Sequence, residues 1–136
     1  MKNIRVMIVE DDPMISFLHR EMLRRNNITE ESLTFLNGKE ALDFMLRDSS
    51  EKHYLVLLDL NMPVMNGWEF LDTLEKIREI SCRTKVAIVT SSMNPADKSK
   101  AREYAMVEYY LSKPLLDFSK IKEAIQDLKK MVREIK

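Results

Sequence analysis

Asp59 closes the apolar run YLVLL and is followed by two chain breakers, Pro63 and then Asn66-Gly67. A carboxylate at the tip of a buried strand costs several kcal/mol to desolvate unless it is paired or held near water. Three further stretches carry polar groups in the same position, just past a short apolar run. Glu10, Asp11 and Asp12 follow the first run, Thr90, Ser91 and Ser92 the fourth, and Ser112, Lys113 and Pro114 the fifth. Clustered carboxylates repel one another and rise in pKa unless a cation sits among them. Asp11, Asp12 and Asp59 offer hard oxygen ligands that suit Mg2+, with waters completing an octahedron, and the backbone carbonyl of Asn61 is placed to add another. With the charge neutralised in this way, Asp59 reads as the nucleophile of an aspartyl phosphate. Lys113 supplies a mobile point charge for the phosphoryl group and the Thr90 hydroxyl a donor. Transfer of this kind is mostly positioning and electrostatic stabilisation, so no general base is needed.

Each group also has a plainer reading. Asp12 before Pro13 is an ordinary helix start, with Asp as N-cap and Pro at the first helical position. That reading leaves Glu10 and Asp11 without a role. Thr90 or Lys113 alone would be unremarkable; their arrival at the ends of successive strands is not.

The elements that must position these groups alternate. Short β-rich runs span 4–9, 32–36, 54–58, 86–89 and 107–111. Between them, helical spacing predicts helices over 14–25 (Ile15, Leu18, Met22 and Arg25 on one side, Phe17 beside them), 39–47, 68–80, 96–104 and 118–135. The last carries the amphipathic stripe Phe118, Ile121, Ile125, Leu128, Val132 and Ile135. Alternation at this spacing implies βαβ crossovers and a parallel sheet covered by helices on both faces, with ligands bound outside the carboxyl ends of the strands. Five strands and five helices in 136 residues leave room for one domain, 1–136.

Composition excludes several classes. Lys+Arg and Asp+Glu both number 22, against the basic footprint of a nucleic-acid-binding module. Apolar and charged fractions of 45% and 32% are those of a folded globular chain. The single Cys82 cannot form an internal disulfide and fits a reducing compartment. The N-terminus lacks the apolar run of a signal peptide, and no stretch approaches the roughly 20 apolar residues of a membrane span, so a cytoplasmic protein is expected. His19 and His53 have no metal-ligand partner at useful spacing. Most of the ten methionines are expected to fill gaps in the core.

The motifs VEDDP (9–13), LLDLNMPVMNG (57–67), VTSS (89–92) and YYLSKP (109–114) in this order resemble the receiver domain of two-component response regulators, across essentially the whole chain. The resemblance implies a flavodoxin-like doubly wound (βα)5 sandwich with strand order 2-1-3-4-5. It implies that Asp59 is the phosphoacceptor, Asp11 and Asp12 the acidic pair holding Mg2+, Thr90 the switch hydroxyl, Lys113 the phosphate-binding lysine and Tyr110 the rotating aromatic switch. It also points to a cis Lys113-Pro114 bond, which a tight turn would use to aim Lys113 across the strand ends. The implied partners are a sensor histidine kinase or histidine phosphotransfer protein and a downstream protein target, with no nucleic acid and no membrane. With no output domain expected, the chain is similar to stand-alone, chemotaxis-regulator-like receivers, which catalyse only their own phosphoryl transfer and dephosphorylation.

Three rivals are weighed against this. A haloacid-dehalogenase-type phosphatase needs a second Asp two residues after the nucleophile, where this chain has Asn61. A flavodoxin-type FMN carrier binds phosphate on backbone amides of its first loop, where Glu10, Asp11 and Asp12 would repel an anion. A structural receiver that docks without phosphorylation would not need the full residue set. Labelling with a small phosphodonor in Mg2+ separates all three.

Overall fold

The computed structural model describes residues 3–48 and 51–135, with side chains to 133. Five strands, β1 (Ile4–Val9), β2 (Ser32–Phe35), β3 (His53–Leu58), β4 (Thr84–Thr90) and β5 (Val107–Ser112), form one parallel sheet of order β2-β1-β3-β4-β5. The helices are α1 (Pro13–Arg25), α2 (Gly38–Arg47), α3 (Gly67–Glu75), α4 (Arg78–Ser81), α5 (Pro95–Ala101) and α6 (Ser119–Ile135). Strand order reverses between β1 and β3, which places the crevice of an open α/β sheet above those two strands.

Every residue of β3 is buried, as a central parallel strand covered on both faces requires. Its side chains alternate between two cores. Tyr54, Val56 and Leu58 face the core closed by Met45, Phe70, Leu71 and Leu74, whereas Leu55 and Leu57 face Leu23, Phe118, Ile121, Ile125 and Leu128. The α6 stripe buries Phe118, Ile121, Ile125 and Leu128 and half-buries Val132; the side chain of Ile135 lies outside the described residues.

Two expectations are corrected. The helix predicted over 68–80 is two helices, because the chain leaves helical geometry at Ile77, whose φ of -101° and ψ of 81° precede α4. Leaving the helix there lets Ile77 pack on the core while Ile80 is buried beyond it. The buried face of α1 is Ser16, His19 and Leu23, not the side containing Leu18 and Arg25. Three contacts set that rotation: Asp12 caps the helix, the Ser16 hydroxyl donates to the Glu10 carbonyl at 3.4 Å, and His19 packs edge-on against Phe118. Phe17 and Leu18 consequently face outward. Of the methionines, Met7, Met45 and Met106 are core residues, but Met14 and Met93 stand about four-fifths exposed, at 79% and 82%.

Candidate functional site

The sheet delivers its polar groups to one edge through backbone register. The Asp59 N–H donates to the Val9 carbonyl at 3.0 Å, and the Glu10 N–H to the Phe35 carbonyl at 2.9 Å, so the two carboxylates leave adjacent strands side by side. Across β4, the Lys113 N–H donates to the Thr90 carbonyl at 2.9 Å. The Lys113-Pro114 peptide bond is cis.

Lys113 Nζ reaches 2.6 Å from Glu10 Oε1 and 3.2 Å from Asp59 Oδ1. Glu10 and Asp59 are buried, at 3% and 6% exposure, and Asp11 is exposed. Carboxylate oxygens of Glu10, Asp11 and Asp59 all lie within 4.8 Å of one another. Burial pushes the Glu10 carboxyl up to about 7, Asp59 adding to the rise while the Lys113 ammonium and the Asp12 N–H oppose it. Burial pulls the Lys113 ammonium down, but its hydrogen bond to Glu10 and the charges of Asp59 and Glu10 outweigh this and hold it above its ordinary range.

The structure therefore gathers Glu10 and Asp11, rather than Asp11 and Asp12, around Asp59. Asp12 turns away. Its Oδ1 accepts from the N–H groups of Met14 and Ile15 at 2.9 and 3.4 Å, the N-cap of α1 with Pro13 at the first position. Asn61 lies exposed two residues beyond Asp59.

The loop from Asp59 to α3 is tightly constrained. A Cβ on Gly67 would meet the Asp59 carbonyl oxygen at 2.5 Å and Leu60 Cα at 2.9 Å, both backbone atoms that cannot step aside. The loop also holds Val64 at φ 69°, and the Met65 N–H donates to the Pro63 carbonyl at 2.8 Å, a γ-turn that a β-branched residue adopts only under strain. Asn66 and Glu69 then start α3 with a reciprocal capping box.

On the other flank, Thr90 is fully buried and its Oγ1 accepts from the Ser92 N–H at 3.1 Å. Tyr110 pairs with Ile88 in the sheet, packs against the same core, and its hydroxyl donates to the Ser92 carbonyl at 3.4 Å. Thr90 and Tyr110 thus meet through the β4–α5 loop.

Two buried hydroxyl-free groups lie beyond this set. His19 sits behind the site with Nε2 buried and unpartnered; burial drives its pKa down to about 4, and the Lys113 charge adds to the fall. His53, at the opposite edge of the sheet, has both ring nitrogens buried without partners.

Residues 6–126 match the family model of the response regulator receiver domain, and the parallel sheet of order 2-1-3-4-5 is the architecture of that family. The chain belongs to that family. The two-component response regulator ARR22 of Arabidopsis thaliana is 34% identical over 114 residues, covering 84% of this chain and 76% of that one. Response regulator Rcp1 of Synechocystis is 30% identical over 134 residues, covering 96% and 84%. A crystal structure of a two-component response regulator from Cytophaga hutchinsonii superposes with a TM-score of 0.75 at 28% identity, covering 96% of this chain and 97% of that one. Among the described residues of this receiver domain, no helix is long and apolar enough to cross a membrane.

The site includes residues to which the sequence assigns no role. Glu10 is in view as one of three consecutive acids, but nothing in the sequence sets it above Asp12 as the companion of Asp11. Ser92 lies in the motif VTSS, but its role comes only from the path of the loop. Val64 carried no signal at all.

Proposed function

We propose that this receiver domain accepts a phosphoryl group on Asp59 from the phosphohistidine of a sensor kinase or histidine phosphotransfer protein. The observation that carries this is the position of Lys113 Nζ, 3.2 Å from Asp59 Oδ1 at the carboxyl edge of the sheet, with three carboxylates within 4.8 Å of one another.

The donor set fits a hard divalent cation. Glu10, Asp11 and Asp59 supply carboxylate oxygens, exposed Asp11 leaves one side open to water, and the Asn61 backbone carbonyl is a candidate further ligand. When bound, Mg2+ would neutralise charge on the phosphoryl oxygens. In this assignment Glu10 takes the place that sequence reading gave to Asp12, whose carboxylate is engaged with α1.

The reaction is a displacement at phosphorus. A bond forms between an Asp59 carboxylate oxygen and phosphorus while the phosphorus–nitrogen bond of the donor breaks. The imidazole leaves with that electron pair and takes a proton from solvent. Lys113 holds the carboxylate in place and then carries the charge of the transferred group. The buried Thr90 hydroxyl, whose oxygen accepts from Ser92, keeps its own hydrogen to donate toward the new phosphoryl oxygens. Drawing that hydroxyl inward frees space that the half-buried Tyr110 ring can enter, remodelling the face of α5, β5 and α6 toward a downstream protein. Phosphorylation shifts this equilibrium only by binding the two arrangements with different free energies.

Incubation with acetyl phosphate and Mg2+ should add one phosphoryl mass to the wild type and none to Asp59→Asn. A label on Asp59→Asn equal to the wild type would overturn the assignment. Thr90→Ala and Tyr110→Ala should still accept phosphate at Asp59 while their backbone amides respond less to it.

A further inference from the structure

Helix α5 is held by very little. It has seven residues, buries only Ala101 and otherwise rests Lys100 over the Trp68 ring at 4.5 Å, so the cap at its N-terminus is a substantial part of what holds it. The capping differs from that of α3. There, the acid at the third helical position, Glu69, reaches back directly to the N–H of the capping Asn66. In α5 the equivalent residues are Asn94 and Asp97, and Asn94 Oδ1 accepts from the Ala96 N–H at 3.0 Å. Between them stands Ser92. Its hydroxyl oxygen accepts from the Asn94 N–H at 3.3 Å and its hydrogen goes to Asp97 Oδ2 at 2.7 Å. The capping box of α5 is thus closed through a residue that lies outside the helix.

The same residue is bound to both members of the Thr90–Tyr110 relay. Its N–H donates to Thr90 Oγ1 at 3.1 Å and its carbonyl accepts from the Tyr110 hydroxyl at 3.4 Å. Every polar group of Ser92 is therefore committed, the backbone pair to the switch residues and the side chain to the helix cap.

We propose that Ser92 is the positioning residue that couples the Thr90 hydroxyl to the N-terminal cap of α5. This rests on the reading of Asp59 as phosphoacceptor. When the Thr90 side chain turns toward a phosphoryl group, the Ser92 N–H must follow it or lose its acceptor. Either movement carries the Ser92 hydroxyl away from Asp97 and Asn94 and opens the box that starts α5. Two arms leave Ser92, one through its carbonyl to Tyr110 on β5 and one through its side chain to α5, and they are separable by mutation.

The test is amide NMR of the full chain with and without beryllofluoride and Mg2+, reading residues 96–101 for α5 and 107–112 for β5. In the wild type both groups should shift. In Ser92→Ala, which keeps the backbone bonds to Thr90 and Tyr110, the β5 shifts should persist and the α5 shifts should fall about fivefold, the weight of one cap hydrogen bond in a local equilibrium. Asp97→Ala should reproduce that loss, and Ser92→Thr, which retains the hydroxyl, should restore the response. If α5 responds in Ser92→Ala as in the wild type, or if Ser92→Thr fails to restore it, Ser92 is not the coupling residue. A wild type that binds beryllofluoride without any α5 shift overturns the inference equally. A wild type that binds none overturns the reading of Asp59 instead.

Discussion

Lys113 Nζ stands 2.6 Å from Glu10 Oε1, a closer approach than it makes to Asp59. The lysine is shared between two buried carboxylates. Glu10 thereby keeps the ammonium extended across the strand ends, where the proposed phosphorylation of Asp59 would add negative charge.

Replacing Lys113 with Ala should slow labelling of Asp59 by acetyl phosphate at least tenfold, the size expected for losing one charge-assisted hydrogen bond of about 1.5–3 kcal/mol. Lys113→Arg should recover only part of that rate, because a planar guanidinium cannot reproduce a point charge between two carboxylates. Mass spectrometry of the time course decides this; labelling of Lys113→Ala at the wild-type rate would remove the lysine from the mechanism.

The three consecutive acids should separate by role. Millimolar Mg2+ should raise the melting temperature of the wild type by mass action. Glu10→Gln and Asp11→Asn should lose that rise, and Glu10→Gln should be the more stable protein without metal, since it removes a buried carboxylate beside Asp59. Asp12→Ala should keep the Mg2+ rise while losing about 1 kcal/mol of stability with its helix cap. A Mg2+ response that disappears in Asp12→Ala and survives in both other variants would restore the pairing read from sequence.

Val64 is predicted to cost stability where it stands. Its φ of 69° is adopted far more readily by Asn than by a β-branched residue. Its side chain is 76% exposed, so little packing is lost on replacement. Val64→Asn should raise the urea midpoint by the equivalent of about 1 kcal/mol with an unchanged slope, whereas Val64→Ile should not. A destabilised Val64→Asn would mean that the strain is offset by contacts unseen in its exposure.

His19 sets an acid limb to stability. Its pKa falls from an ordinary 6.5 to about 4 in the fold, so between those values the unfolded chain binds more protons than the native one. Stability therefore rises with pH across that window, and the His19 contribution is lost as pH falls from about 6.5 toward 4, by up to about 3 kcal/mol. His19→Leu should shrink the difference between unfolding free energies measured at pH 7 and pH 4.5. An unchanged difference would show that the ring is not held neutral by burial.

The alternation of elements, the parallel sheet and the convergence of Asp59, Thr90 and Lys113 on one edge were all present in the sequence. Hydrophobic period separates strand from helix, and a βαβ chain has few ways to close a sheet. Asp59 was legible because a charge directly after five apolar or aromatic residues must either be paired or reach water.

Tertiary structure alone decided which two of Glu10, Asp11 and Asp12 face Asp59. Each is a carboxylate in the right loop, and the choice depends on where β1 stops and α1 begins. Asp12 is drawn to the free N–H groups of α1, while Glu10, still in register beside Asp59, meets Lys113 from the far side of β4. The rotation of α1, the break at Ile77 and the closure of the α5 cap through Ser92 were likewise settled by packing and by partners remote in sequence. Local pattern fixes which residues are apolar and which can bond, but several rotations satisfy it equally. The one adopted is that in which buried donors and acceptors also find one another.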